Sequence, residues 1–282
     1  MKTYINSTLV IIASLIMMSC GTSTKKTTPA DLGWEMGAQA YTFRKFTFLQ
    51  TIDKLQELGL HYVEAYPGQD IGGDMQGKMS YEMSSAYRQN ILDYLRQHDV
   101  KLMAYGVITP DTKAQWDSLF VFAKEMGIQN ITSEPKNDQM TYVSQLCDTY
   151  DIDVAIHNHP QPSHYWNPDT LLEAIKGQSS HIGSCADLGH WVRSGLDPLE
   201  CVKKLSGHIK EIHIKDVAER SPQAVDTVWG TGVIDMKGIL EELHRQHFKG
   251  LFSIEYESHP ENNMPEIRKS LVYFDNVVAK LK

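Results

Sequence analysis

The feature that most constrains this chain is a repeated alternation of short apolar runs and longer amphipathic segments. Eight short runs can be read along it: "MGAQAY" (36–41), "HYVEAY" (61–66), "KLMAYGV" (101–107), "NITSEP" (130–135), "VAIHNH" (154–159), "HIGSCAD" (181–187), "IKEIHIKD" (209–216) and "LFSIEYE" (251–257). Between them lie segments such as "FLQTIDKLQEL" and "MKGILEELHRQH", whose apolar residues recur at i, i+3, i+4, the period of a helix. Eight strands alternating with helices over about 250 residues predict an α/β fold, a single (β/α)8 TIM barrel spanning residues 33–282. A doubly wound open sheet of eight strands is the structural rival.

The barrel makes a parity test available, because side chains alternate between the outer face, packed on helices, and the inner face. In the eighth run Phe252, Ile254 and Tyr256 face out, which turns Ser253, Glu255 and Glu257 inward. Ile212 and Ile214 leave His213 and Lys215 inside; Val154 and Ile156 leave His157 and His159 inside; Ile131 leaves Thr132 and Glu134 inside. The same parity places Glu64 and Asp187 inward. Each of these could singly be a solvated strand end. Their convergence on the carboxyl ends of the strands, where barrel enzymes build their sites, predicts a functional site.

Three carboxylates and an imidazole facing one another repel strongly unless a divalent cation sits among them. Glu134, Asp187, His213 and Glu255 supply such a donor set, suited to one divalent ion of Mn, Mg, Co or Zn. Cys185, two residues deeper than Asp187, reads as core. A metal in this place would polarise a sugar carbonyl, and a glutamate or neutral histidine would take the neighbouring proton, with His157, His159, Lys215 and Glu255 as the catalytic candidates. Glu64 is a further candidate on the substrate side. Residues 67–82, "PGQDIGGDMQGKMSYE", are expected to be a flexible lid. His164, Tyr165, Trp166, Trp191 and Trp229 are candidates to stack on a sugar.

The N-terminus has a separate character. Met1 and Lys2 precede an apolar run from Leu9 to Met18 and then Ser19 and Cys20, the pattern of a signal peptide over residues 1–19, too short to span a bilayer as a helix. "IMMSCG" is similar to a lipobox, so Cys20 is the expected lipidation site, with membrane attachment through that residue only and residues 20–32 as a flexible tether. This predicts an exported lipoprotein, anchored to a bacterial membrane and facing the periplasm. A formal net charge of −8 with no long basic run argues against nucleic acid as a partner. Cys147, Cys185 and Cys201 show no zinc-finger spacing and no disulfide framework.

The order of an inward Glu on the fourth strand, "HNHP" on the fifth, "ADLGHW" on the sixth, "IHIKD" on the seventh, "GTGVID" before the next helix and "IEYE" on the eighth resembles the sugar phosphate isomerase/epimerase family of xylose-isomerase-like barrels. The resemblance covers residues 33–282. It implies one divalent metal and deprotonation next to a sugar carbonyl, with Asp187, His213 and Glu255 at metal-ligand positions and His190 at a substrate-binding one. The ketose 3-epimerases of that family look to the fifth strand for a glutamate facing the one on the eighth; here His157 stands there, and the glutamate is displaced to Glu134.

Epimerisation needs a base on each face of a planar intermediate, so this substitution favours elimination or addition of water or an alcohol. "GTG" at 230–232 reads as a turn, not a phosphate cradle. The expectation is a lyase or hydratase acting on a keto-sugar or 3-keto-glycoside, since relatives of this barrel act on 3-keto-glycosides. An epimerase or aldose-ketose isomerase is the alternative, followed by a metal-dependent endonuclease and a non-catalytic sugar-binding lipoprotein. The oligomeric state is left open.

Overall fold

The computed structural model describes residues 26–282, so Cys20 and the expected signal peptide lie outside the described residues. Each of the eight apolar runs overlaps a strand: β1 (Trp34–Gln39), β2 (Tyr62–Ala65), β3 (Lys101–Tyr105), β4 (Asn130–Ser133), β5 (Asp153–His157), β6 (Ile182–Asp187), β7 (Ile209–Ile214) and β8 (Gly250–Ile254). They form a closed barrel in the order β1-β8-β7-β6-β5-β4-β3-β2. The open-sheet alternative is excluded by the seam, where β1 pairs with β8 in parallel from Trp34 opposite Gly250 to Ala38 opposite Ile254.

The helices form where the sequence caps them. Thr47 and Gln50 close a capping box ahead of Phe48–Leu58, and Gly59 ends that helix in the left-handed region at φ 72°. Phe48, Ile52 and Leu55 on its inner face are fully buried. They join Val154, Ile156, Ile212, Ile214, Phe252 and Ile254, the outward residues of the strands, in one hydrophobic layer between sheet and helices. Inside the barrel the order is different. Met103, Ala104 and Leu251 plug one level with apolar contact. Beyond it Asn130, Thr132 and Ser253 all lie within hydrogen-bond reach of the buried Glu211. The interior therefore turns polar towards the carboxyl ends of the strands.

Two segments are more ordered than their composition suggests. Residues read as the end of a tether include a helical turn, Pro29–Leu32, capped by Thr28, and the Thr27 hydroxyl donates to the Leu281 carbonyl at 2.8 Å. The stretch read as a lid contains an antiparallel hairpin, Asp70–Gly72 with Met75–Lys78. Ile71 and Met79 are fully buried, and Gln69 donates to the Phe46 carbonyl and the Thr51 hydroxyl. Buried apolar residues and the Gln69 hydrogen bonds thus pack this segment against the first long helix.

Candidate functional site

Register builds the site. Asp187 on β6 and Ser253 on β8 both lie opposite His213 on β7, so the polar ends of three neighbouring strands meet at one height. Asp187 is also the N-cap of the helix Leu188–Arg193: its Oδ1 accepts the His190 amide at 2.7 Å, which leaves Oδ2 facing the barrel axis. Asn158, between the two histidines of "HNH", points to β6. Its side chain exchanges hydrogen bonds with the Asp187 backbone at 2.8 and 2.9 Å, stapling β5 to β6 beside the site.

Among the described residues, four buried atoms converge near the axis: Nε2 of His157 and Nδ1 of His213, which have no hydrogen-bond partner, and Oδ2 of Asp187 and Oε2 of Glu255, which face the Lys215 ammonium. His157 Nε2 is 3.6 Å from Asp187 Oδ2. His213 Nδ1 is 4.0 Å from the same oxygen and 3.3 Å from Glu255 Oε2. Buried polar atoms gathered in this way, two imidazole nitrogens and two carboxylate oxygens, make a donor set suited to a cation. Ligand atoms of His157, Asp187, His190 and Glu255 lie within 4.8 Å of one another, as do those of Glu134, His157 and His159 and those of Glu64, Glu211 and His213. The residues present therefore fit a divalent ion.

The outer carboxylates orient the rings. Glu64 Oε2 lies 2.7 Å from His213 Nε2 across the barrel interior, which turns Nδ1 of that ring to Asp187 and Glu255. Glu134 Oε1 is 3.6 Å from His157 Nδ1, so the ring of His157 separates Glu134 from Asp187. This regroups the expected donors: Glu134 is not brought to Asp187 and Glu255, and His157 stands in that place. Glu134 instead bonds His159 Nδ1 on Oε1 and accepts the Ser163 hydroxyl on Oε2. Burial works against its ionisation, but the bonds from His157 and His159 outweigh this and hold Glu134 far below the usual carboxylate range.

The remaining charges are also paired. Lys215 is fully buried, with its ammonium 3.0 Å from Asp187 Oδ2, 2.6 Å from Glu255 Oε2 and 3.0 Å from Glu257 Oε1. Although burial opposes the charge, Asp187 and Glu255 raise Lys215 well above the ordinary lysine value, so its ammonium offsets the charge of the carboxylates. Burial likewise opposes Glu255, which Lys215 and His213 hold far down. Deeper in the barrel, burial and the charge of Glu64 push Glu211, a carboxyl that sequence reading missed, well above the carboxylate range. Parity could have found Glu211, since it shares the inward face with His213.

A cavity of about 430 Å³ opens over this cluster. His159, His190, Glu255 and Glu257 line it together with Tyr41, Tyr66 and Val107. The expected sugar-stacking tryptophans are elsewhere. Trp191 and Trp229, each 1% exposed, are embedded in the hydrophobic core, because their indoles fill the space between helices and sheet. Trp166 is half-buried and does not line this cavity; His164 faces a separate groove beside Asn137, Asp169 and Glu173. The aromatic wall comes instead from Tyr41, in the 3-10 turn after β1, and Tyr66, just after β2, packed edge to face at 5.3 Å. The "GTG" turn has an internal anion: the amides of Gly230 and Gly232, with those of Val217 and Ile234, donate to Asp216.

With eight parallel strands closed into a barrel and a polar centre at their carboxyl ends, the chain belongs to the xylose isomerase-like TIM barrel family, whose model matches residues 52–277. It is similar to the crystal structure of an uncharacterized protein from Parabacteroides distasonis ATCC 8503, with 38% identity, a TM-score of 0.72, and coverage of 86% of this chain and 99% of that one. It is also similar to an IOLI protein with a bound zinc atom, at 16% identity and a TM-score of 0.69 over 88% of this chain and 99% of that chain, a likeness of fold alone. Among curated proteins, inosose dehydratase of Geobacillus thermodenitrificans (strain NG80-2) is 34% identical over 107 residues, 33% of this chain and 35% of the relative. The chain spans about a third of the length of the first such relatives.

Proposed function

We propose that this protein is a metal-dependent lyase that removes water or an alcohol from a cyclic keto-sugar or 3-keto-glycoside after proton abstraction next to the carbonyl. The observation that carries the reading is the convergence of buried donor atoms of His157, Asp187, His213 and Glu255, the last of which lines a sugar-sized cavity. The partial similarity to inosose dehydratase, which spans about a third of that enzyme, supports it. Two imidazoles beside two carboxylates suit Zn, Mn or Co better than Mg. Such an ion, when bound, supplies the positive charge that makes a carbonyl carbon electron-poor and its neighbouring C–H acidic.

The protein's own groups supply the rest. Glu134 engages Nδ1 of His159, which leaves Nε2 of that ring as the free nitrogen in the cavity wall. His159 is then placed to take the proton from carbon and to return it to the departing hydroxyl or alkoxide on the same face. His190 offers a second polar group to the substrate oxygen, and Tyr41 and Tyr66 exclude water from the opposite face of the ring. Lys215 keeps Asp187 and Glu255 ionised from beneath.

The test is incubation of Zn-, Mn-, Co- or Mg-loaded protein with a panel of cyclic keto-sugars, 3-keto-glucosides and ordinary ketoses in deuterated water, followed by NMR and mass spectrometry. Loss of water or of the aglycone alcohol is the expected result. Deuterium uptake into a product of unchanged formula identifies an epimerase or isomerase instead, and no reaction with any loaded form refutes the assignment. We further propose that the enzyme works outside the cytosol, anchored by a lipid on Cys20. Incorporation of labelled palmitate that is lost in Cys20→Ala is the expected readout.

A further inference from the structure

Arg193 closes the helix that starts at Asp187, one turn beyond His190, and parity on the strands gave no reason to single it out. Its guanidinium is held from three sides: Nη2 donates to Asp226 Oδ1 at 2.7 Å, Nε donates to the Ala224 carbonyl at 3.1 Å, and Glu257 Oε1 lies 3.5 Å from Nη1. Asp226 is itself pinned, since its Oδ2 accepts the Glu257 amide at 2.6 Å. So anchored, Arg193 places Nη1 3.0 Å from Nδ1 of His190.

A guanidinium has five N–H donors and no acceptor, so at this contact Nδ1 of His190 accepts. A neutral imidazole with a lone pair on Nδ1 carries its proton on Nε2. We infer that Arg193 is a positioning residue that locks His190 in the Nε2–H tautomer, making it a dedicated hydrogen-bond donor to the substrate oxygen and excluding it from the metal shell. This assignment of the His190 donor to substrate rests on the lyase reading; the tautomer lock itself rests only on the hydrogen bonds. His190 Nε2 stands 3.6 Å from Asp187 Oδ2 and the ring lines the cavity, so without the lock that nitrogen could present a lone pair to a cation. Arg193 thus decides which of four neighbouring imidazoles, His157, His159, His190 and His213, serves as a donor.

The tautomer can be read directly. In long-range 15N–1H spectra of the zinc-loaded, 15N-histidine-labelled protein, with the signals assigned by their loss in His190→Gln, His190 is expected to show an unprotonated Nδ1 and a protonated Nε2. Arg193→Met, which keeps the stem and removes the donors, should populate the Nδ1–H form and let Zn titration shift the His190 signals, while Arg193→Lys should restore the original pattern. Turnover in Arg193→Met is expected to fall about 100-fold, the usual cost of a misdirected oxyanion donor, with bound zinc undiminished. A wild-type spectrum with the proton on Nδ1 overturns the proposal, and this needs no variant to fold. So does an unchanged His190 tautomer in a folded Arg193→Met protein. The expected spectra with no turnover of any keto-sugar would refute the lyase reading and leave the lock standing.

Discussion

At His157 and His213 a carboxylate outside the donor set decides which ring nitrogen faces the centre. Glu134 lies on the Nδ1 side of the first ring and Glu64 on the Nε2 side of the second, so the two imidazoles present opposite nitrogens to the same place. Glu64→Ala is therefore expected to weaken metal affinity about 10- to 100-fold, measured by competition with a chromophoric chelator. If His159 carries the proton as proposed, His159→Gln should keep the metal and lower kcat about 100- to 10,000-fold. Burial pulls both metal-facing imidazoles down, but Asp187 and Glu134 raise His157 above its ordinary value, and Cys185, Glu64 and Glu255 raise His213 well above it. Both rings are thus biased towards the protonated form without metal and must lose that proton to coordinate. Metal uptake near pH 7 should release protons, and affinity should drop as pH falls. Calorimetry in buffers of different ionisation enthalpy reads the release as a buffer-dependent heat. The positions of these residues on the inner face follow from strand parity alone, whereas the choice of nitrogen depends on partners from β2 and β4 that no local pattern reveals.

Among the elements, the helix Leu188–Arg193 shows how tightly the site's support is packed. A Cβ on Gly189 would lie 2.5 Å from Cδ and 2.6 Å from Cγ of Lys215, whose fully buried stem has nowhere to move. Gly189→Ala should destabilise the protein by about 1–3 kcal/mol and disturb the Lys215 contacts, read as a lower denaturant midpoint together with weaker metal binding. The glycine of "ADLGHW" is thus a packing requirement, where the sequence motif by itself suggested only chemistry. The segment after β7 shows the same thing: its two glycines wrap Asp216, and the segment so held carries Asp226 to Arg193. Arg193 and Asp226 were not legible from sequence because they sit on a short helix and a two-residue strand, where neither period two nor period 3.6 runs long enough to assign a face. Trp191 and Trp229 were misplaced for a related reason. A large aromatic in a connecting segment reads as surface until the packing of neighbouring helices shows that it fills core.

Over the whole molecule, the proposed cation centre also bears on stability. Asp187 and Glu255 lie buried against Lys215, and a bound ion would stabilise the native state by RT ln(1 + [L]/Kd), about 2.7 kcal/mol at a hundredfold excess over Kd. Chelator treatment is therefore expected to lower Tm, with recovery on adding Zn or Mn, measured by thermal melts at fixed protein concentration; an unchanged Tm would argue against a resident metal.

What the sequence determined by itself was the barrel and the identity of its inward polar face. Both follow from local chain geometry, the switch between periods of 3.6 and 2 and the alternation of side chains along each strand. What only the tertiary structure decided was which of those groups meet. Glu64 and His213 are 149 residues apart and touch because closure of the sheet brings β2 across the interior from β7. Glu134 and Asp187 are both inward, yet the ring of His157 stands between them. Contacts of this kind are set by the register and curvature of the closed barrel and by angstrom-scale packing, which no one-dimensional pattern encodes.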